Sequence, residues 1–124
     1  MNQLFAIAAG GALGAVFRYG VSNGIYQWLG RDFPWGTLAV NTLGSLLMGG
    51  LYVLLVERLA ATAELRAFLL IGVLGAFTTF STFSIETLLL IENGQLLRAV
   101  MNMLASVLVC IAAAWVGIVV IRQL

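Results

Sequence analysis

Four apolar runs, each long enough to cross a bilayer, fill almost the whole chain and leave only short polar stretches between them. They cover about residues 3–29, 37–56, 65–92 and 96–121. One helical crossing takes roughly 20 residues. Lipid offers the backbone no partners, so apolar runs of this length fold as helices that satisfy themselves. The chain is 62% hydrophobic and 9% charged, against about a quarter charged for a soluble domain. Its mean hydropathy is +1.08. These values predict an all-α integral membrane protein with a single transmembrane domain over residues 1–124. The opening MNQLFAIAAG lacks the basic start of a signal peptide and reads as the first helix. There is no Lys or His, and the net charge is +1, so nothing points to nucleic acid. The single cysteine, Cys110, rules out an internal disulfide and a cysteine metal cluster. One chain of 124 residues cannot enclose a large cavity, so a pore calls for an oligomer.

The third run carries the most informative stretch, GVLGAFTTFSTFSIE at Gly72–Glu86. Five hydroxyls, Thr78, Thr79, Ser81, Thr82 and Ser84, fall within seven residues. Phe77, Phe80 and Phe83 interleave with them at intervals of three. Hydroxyls at membrane depth face protein or water rather than hydrocarbon. Ser and Thr compete for backbone partners, and Gly72 and Gly75 weaken the helix further. A straight helix of ~28 residues would also reach about 42 Å, too long for one upright crossing. We expect a helix interrupted near Gly75–Thr79, with freed carbonyls and amides facing a polar interior, as at ion sites in membrane proteins. The competing reading is an ordinary helix that packs through small residues.

Elsewhere the polar residues are sparse. GxxxG spacings at Gly10/Gly14 and Gly20/Gly24, and the Ser45/Gly49 pair, predict close helix crossings. Arg18 follows an uncharged run, Leu4–Phe17; its guanidinium either snorkels to the interface or faces a watery vestibule. In the first loop, GRDFPWG, Pro34 suits a helix start, and Trp28 and Trp35 suit the interface. Glu57–Arg66 reads as the second loop. Asn41 in the second run either bonds another helix, caps the helix start, or donates to an anion. Glu86 is either a plain interfacial residue or the mouth of a polar pathway. On the fourth run, Asn102, Ser106 and Cys110 recur every four residues and so share a face. That thin polar stripe suits a pathway or helix–helix contact equally.

This inventory does not suit hydrolysis, since no nucleophile has a base at workable spacing. Proton-coupled transport needs a buried carboxylate or His, and Glu86 is the only acid near membrane depth. What remains is a lining of hydroxyls, amides and phenyl rings. Hydroxyls and amides donate to anions, and a phenyl ring presents a positive edge. Partial charges of this kind suit conduction, where binding must be weak enough to release. Spacing alone favours Phe80 and Phe83 as ordinary lipid-facing or core packing residues. Topology is more telling. One side of a four-span chain holds Arg58, Arg66 and Arg122, and the other holds Arg31 and Arg98, with Arg18 if it snorkels. Positive residues in short loops set orientation, and here they nearly balance.

Three motifs, GGALGAVFRY at Gly10–Tyr19, GTLAVNTLGS at Gly36–Ser45 and GAFTTFSTFSIE at Gly75–Glu86, carry a family likeness. The chain resembles the Fluc (CrcB-like) fluoride channels of bacterial membranes, over nearly its whole length. The resemblance implies a dual-topology antiparallel homodimer in the inner membrane, with two pores that pass fluoride and exclude chloride. It implies export of fluoride that enters as hydrofluoric acid. Phe80 and Phe83 match the pore phenylalanines, and Asn41 matches the amide lining the same path. Gly75 and Thr78 match the helix-break residues whose carbonyls, from both protomers, hold a structural sodium ion. Ser106 falls on the fourth-helix hydroxyl track, but Cys110 and Ala114 stand where further hydroxyls are expected. Ser81 and Thr82 lie within the pore motif, and Arg18 and Glu86 match positions near the vestibules. A small multidrug exporter also uses four helices and dual topology, but depends on a first-span carboxylate. Residues 3–29 contain no acid. A non-transporting scaffold is the third alternative.

The arginine balance makes orientation easy to bias. Adding two or three Lys to the Glu57–Arg66 loop should hold that loop in the cytoplasm, and adding them to Gly30–Gly36 should fix the opposite orientation. Each variant alone should lose fluoride export and the pair co-expressed should recover it. Full export from one fixed orientation would rule out an antiparallel pair.

Overall fold

The computed structural model describes residues 2–124. Four helices long and apolar enough to cross a membrane account for almost all of them. Helix α1 is Asn2–Leu29. Helix α2 starts at Trp35, directly after Pro34, runs to Tyr52 and continues with wider turns over Val53–Arg58. The third crossing, Ala63–Glu92, is in two pieces. The first piece, α3, spans residues 63–77 and carries wider turns at Ala67–Val73; the second, α4, is Ser81–Glu92. Helix α5 is Leu96–Gln123. The chain is therefore an all-helical, multi-pass membrane protein.

The second loop is shorter than Glu57–Arg66, the stretch the sequence suggested. Helix α2 continues through Arg58, and the Thr62 hydroxyl caps α3 by accepting from the Leu65 amide at 3.2 Å. The wide turns on either side of this loop have no clear sequence signature. At the same end, Arg122 grips Glu57 with two bonds, 3.2 and 2.7 Å, and Arg58 donates to the Arg122 carbonyl at 2.8 Å. These side chains are solvent-exposed and tie the ends of α2 and α5 together.

Packing runs in two pairs, α1 against α3 and α2 against α5, with α4 resting on α5. Glycine permits both close crossings. A Cβ at Gly10 would strike the Phe68 carbonyl, and one at Gly14 the Val73 carbonyl. Gly72 meets Gly10 across the same crossing, so its role is close approach as much as helix weakening. On the other pair, a Cβ at Gly49 would strike the Ala114 carbonyl and one at Gly117 the Leu46 carbonyl. The Gly20/Gly24 pair behaves differently: neither glycine has a neighbour within 4 Å of its would-be Cβ. Within one chain that spacing packs nothing, contrary to the expectation. The outer faces of α1 and α5 expose Phe5, Val16, Phe17, Leu104, Leu108 and Ile111, as lipid-facing helices do.

Gly49→Ala and Gly117→Ala should each destabilise the protein by roughly 1–3 kcal/mol through overpacking. Thermal unfolding in detergent checks this, and unchanged midpoints would mean the crossing gives way more easily than its geometry implies.

Candidate functional site

The third crossing breaks where the hydroxyls cluster. Thr78 leaves the helix with extended backbone (φ −88°, ψ 160°), and regular helix resumes at Ser81. The break is thus centred on Thr78–Phe80, at the C-terminal end of the expected window. Two amides and one carbonyl released by the break take side-chain partners. The Thr79 amide, which a continuous helix would send to the Gly75 carbonyl, donates instead to Asn41 Oδ1 at 2.7 Å. The Thr82 amide, due to the Thr78 carbonyl, donates to the Thr79 hydroxyl at 3.2 Å. Asn41 Nδ2 in turn donates to the Thr79 carbonyl at 2.8 Å. The Thr78 hydroxyl returns to the Leu74 carbonyl at 3.0 Å. Gly44, on α2, leaves room for the Thr78 methyl beside the break. Of the three roles open to Asn41, capping its own helix is excluded, since α2 begins at Trp35 and the carboxamide bonds another helix. Its second amide hydrogen is not used by Thr79.

A groove of about 450 Å³ runs from the break along α2 and α5. Asn41, Ser45, Thr79, Phe80, Phe83 and Ser106 line it. The two rings are 5.3 Å apart at 43°. Phe83 is 8% exposed, whereas Phe80 is 77% exposed. Cys110 and Ala114 continue the α5 wall beyond Ser106. The departure noted in the sequence is therefore chemical: the wall is in place, with a thiol and a methyl where hydroxyls were expected. The Cys110 sulfur lies 3.8 Å from the Thr42 hydroxyl. No lining residue is charged, so an ion in the groove meets dipoles and ring edges only.

A second cleft, about 300 Å³, opens on the α1 side of the break. Arg18, Ser22, Thr37, Thr79 and Thr82 line it, so Thr79 stands between cleft and groove. Thr82 thus belongs to the cleft wall rather than the groove wall. Ser81 is exposed, its hydroxyl 3.4 Å from that of Thr79. Glu86, half-buried, accepts from Tyr26 at 2.6 Å and from Thr37 at 2.5 Å. The Arg31 guanidinium lies 4.5 Å from the centroid of the Tyr26 ring. Tyr26 and Thr37 escaped the sequence reading, because an interfacial Tyr and a helix-start Thr carry no pattern of their own. Thr87 and Asn102 pair in the buried interface of α4 and α5. Gly75 is exposed, and a Cβ there would meet only the Leu70 carbonyl, at 3.8 Å. Among the described residues, no buried side-chain polar atom lacks a partner, and no cluster of His, Cys and acids could hold a metal.

Comparison with known proteins bears on this arrangement. A family model described as CrcB-like protein, Camphor Resistance (CrcB), matches residues 5–118. Fluoride-specific ion channel FluC of Methylococcus capsulatus is 61% identical over 122 residues, 98% of this chain and 54% of that protein. The chain therefore spans about half the length of that relative. Proteins of the same name from Magnetococcus marinus and Coxiella burnetii (strain Dugway 5J108-111) match end to end. The first is 56% identical over 97% of this chain and 98% of its own, the second 54% identical over 100% of both.

Asn41→Leu should lower the thermal midpoint, since it strands the Thr79 amide and carbonyl at a cost of about 1–3 kcal/mol. Asn41→Asp sets a carboxylate against the Thr79 carbonyl at neutral pH. Protonation restores a donor to the Thr79 carbonyl, so stability should recover as pH falls. The Leu variant should show no such recovery. Equal pH responses would mean the Asn41–Thr79 pair does not hold the break.

Proposed function

The chain belongs to the CrcB-like family, and on that footing we propose that it is a passive fluoride-selective ion channel. The observation that carries the proposal is the groove at the helix break, where Asn41, Phe80, Phe83 and Ser106 converge. The names of its relatives support fluoride as the ion. An anion entering by the Arg18 cleft would meet a full positive charge first, then the Thr79 and Thr82 hydroxyls at the break. Within the groove it would meet the ring edges of Phe80 and Phe83, the free Asn41 amide hydrogen and the Ser106 hydroxyl. Each is a weak donor or partial charge, which favours passage over capture. Short donors suit a small, strongly hydrogen-bonding anion better than chloride. Passive movement follows from the groove's lack of a carboxylate to carry a coupled proton. In a bacterial inner membrane, fluoride that enters as the neutral acid and ionises inside would leave through such a path, and that confers resistance. The exporter alternative is not favoured, because residues 3–29 hold no acid.

The functional unit we propose is an antiparallel dual-topology homodimer. Three observations support it: the near-equal arginine tally, the exposed Phe80 ring at the groove, and the unpacked Gly20/Gly24 face. A structural sodium ion would sit at the dimer interface, on the Gly75 and Thr78 carbonyls of both copies. The fit is good on one count. The amides that would occupy these carbonyls in a continuous helix are diverted to Asn41 and to the Thr79 hydroxyl. Backbone carbonyl oxygens suit a hard monovalent cation without any acidic side chain.

Fluoride efflux from liposomes, read with a fluoride electrode, tests the proposal. The purified protein should empty fluoride-loaded vesicles without a proton gradient and leave chloride behind. Phe80→Ile and Phe83→Ile keep apolar bulk but lose the positive edge. Flux should fall about tenfold or more, equivalent to about 1.4 kcal/mol of barrier, while the dimer persists. Wild-type flux in both variants would remove the rings from the path, and absence of fluoride efflux in the parent protein would overturn the channel. Sodium analysis after sodium-free gel filtration should find one ion per pair of chains; an active, sodium-free dimer would remove the ion from the proposal.

A further inference from the structure

The break has a mechanical consequence for α4. A continuous helix inherits its rotation from the preceding turn, but α4 starts afresh at Ser81 after three non-helical residues. Something else must set which way its side chains point. Two adjacent residues provide the tethers. Glu86 is held by Tyr26 on α1 and Thr37 on α2. Thr87, about 100° further round the helix, is held by Asn102 on α5, whose Nδ2 donates to the Thr87 hydroxyl at 2.9 Å. This is the one side-chain hydrogen bond between α4 and α5 among the described residues. Asn102 is 1% exposed, with Thr87 and Ala99 buried beside it.

The bond lies in a chain that ends at the groove in both directions. The Thr87 hydroxyl passes its own hydrogen to the Phe83 carbonyl, one turn back, at 2.7 Å. Residues four apart share a helix face, so holding Thr87 holds the azimuth of Phe83. On the other side, the Ser106 hydroxyl donates to Asn102 Oδ1 at 3.4 Å. Ser106 and Phe83 both line the groove, one from each helix. Asn102 itself does not line it.

We propose that Asn102 is the positioning residue of the ion path: through Thr87 it fixes the Phe83 ring, and through its Oδ1 it aims the Ser106 hydroxyl. This rests on the channel reading above and adds a residue outside the groove. An apolar helix contact would hold α4 against α5 but would leave rotation and sliding free. The carboxamide supplies direction, since its two ends are chemically distinct and are spent on different helices. The Ser106 bond is long, and a serine has a single hydrogen. In the empty groove that hydrogen rests on Asn102; an anion beside Ser106 competes for it and wins against so long a bond. Asn102 thereby keeps the hydroxyl ready without locking it.

The test compares Asn102→Leu and Thr87→Val with Thr87→Ser, which keeps the hydroxyl. Fluoride efflux is measured across fluoride concentrations, so that half-saturation is separated from maximal flux. In Asn102→Leu and Thr87→Val the half-saturating concentration should rise about fivefold, the scale of one lost hydrogen bond. Thr87→Ser should behave as the parent. A merely structural role would reduce the number of working channels, lowering maximal flux with half-saturation unchanged; that outcome overturns the proposal. A second measurement does not depend on transport. With 4-fluorophenylalanine placed at position 83 by amber suppression, the ¹⁹F resonance should shift or broaden in Asn102→Leu and Thr87→Val, and stay in place in Thr87→Ser. An unmoved resonance in Asn102→Leu overturns the positioning role even if flux falls. A parent protein without fluoride efflux sinks the channel reading, while the ¹⁹F result still decides whether Asn102 holds Phe83.

Discussion

Inside a bilayer, a helix cannot simply stop: every amide and carbonyl taken out of the ladder needs another partner, because hydrocarbon supplies none. At Thr79 that partner is a single side chain. The Asn41 carboxamide has the same donor and acceptor as a peptide group, and it meets both the amide and the carbonyl of Thr79. With these two bonds the chain can leave helical geometry at Thr78 and resume at Ser81 without stranding Thr79. Most of the site follows from this. The break lets Phe80 project, frees the Gly75 and Thr78 carbonyls from their usual amides, and places Thr79 between cleft and groove. Asn41 thus joins α2 to the break and lines the groove at once.

The helix crossings serve the same end. Gly10, Gly14 and Gly72 bring α1 and α3 backbone to backbone, while Gly49 and Gly117 do so for α2 and α5. These tight pairs leave the looser space for the groove, between α2, α4 and α5. Gly44 belongs to this scheme, since any side chain there would push on Thr78.

Much of this is legible in the sequence because bilayer physics narrows the choices. The four crossings follow from apolar length, and the break from five hydroxyls and two glycines in one apolar run. Grouping Asn41, Phe80, Phe83 and Ser106 in one site, however, depended on the family likeness, because spacing alone allowed the rings to be packing residues. Other features left no local trace. The Tyr26–Thr37–Glu86 cluster joins residues up to 60 apart in the chain, and no period marks them. The wide turns at Val53–Arg58 and Ala67–Val73 likewise carry no local signal in the sequence. Gly20 and Gly24 show the converse: a packing motif is plain in the sequence, but within one chain nothing packs there.

The uncharged lining of the groove has an electrical consequence. A membrane potential does work only on charge that moves, about 2.3 kcal/mol per unit charge per 100 mV. Rings, hydroxyls and an amide carry no net charge for the field to pull on. In the groove the field therefore acts on the passing ion alone, and the walls hold no voltage sensor. Any charge for a voltage to move along this route lies outside the groove, at Arg18 in the adjoining cleft.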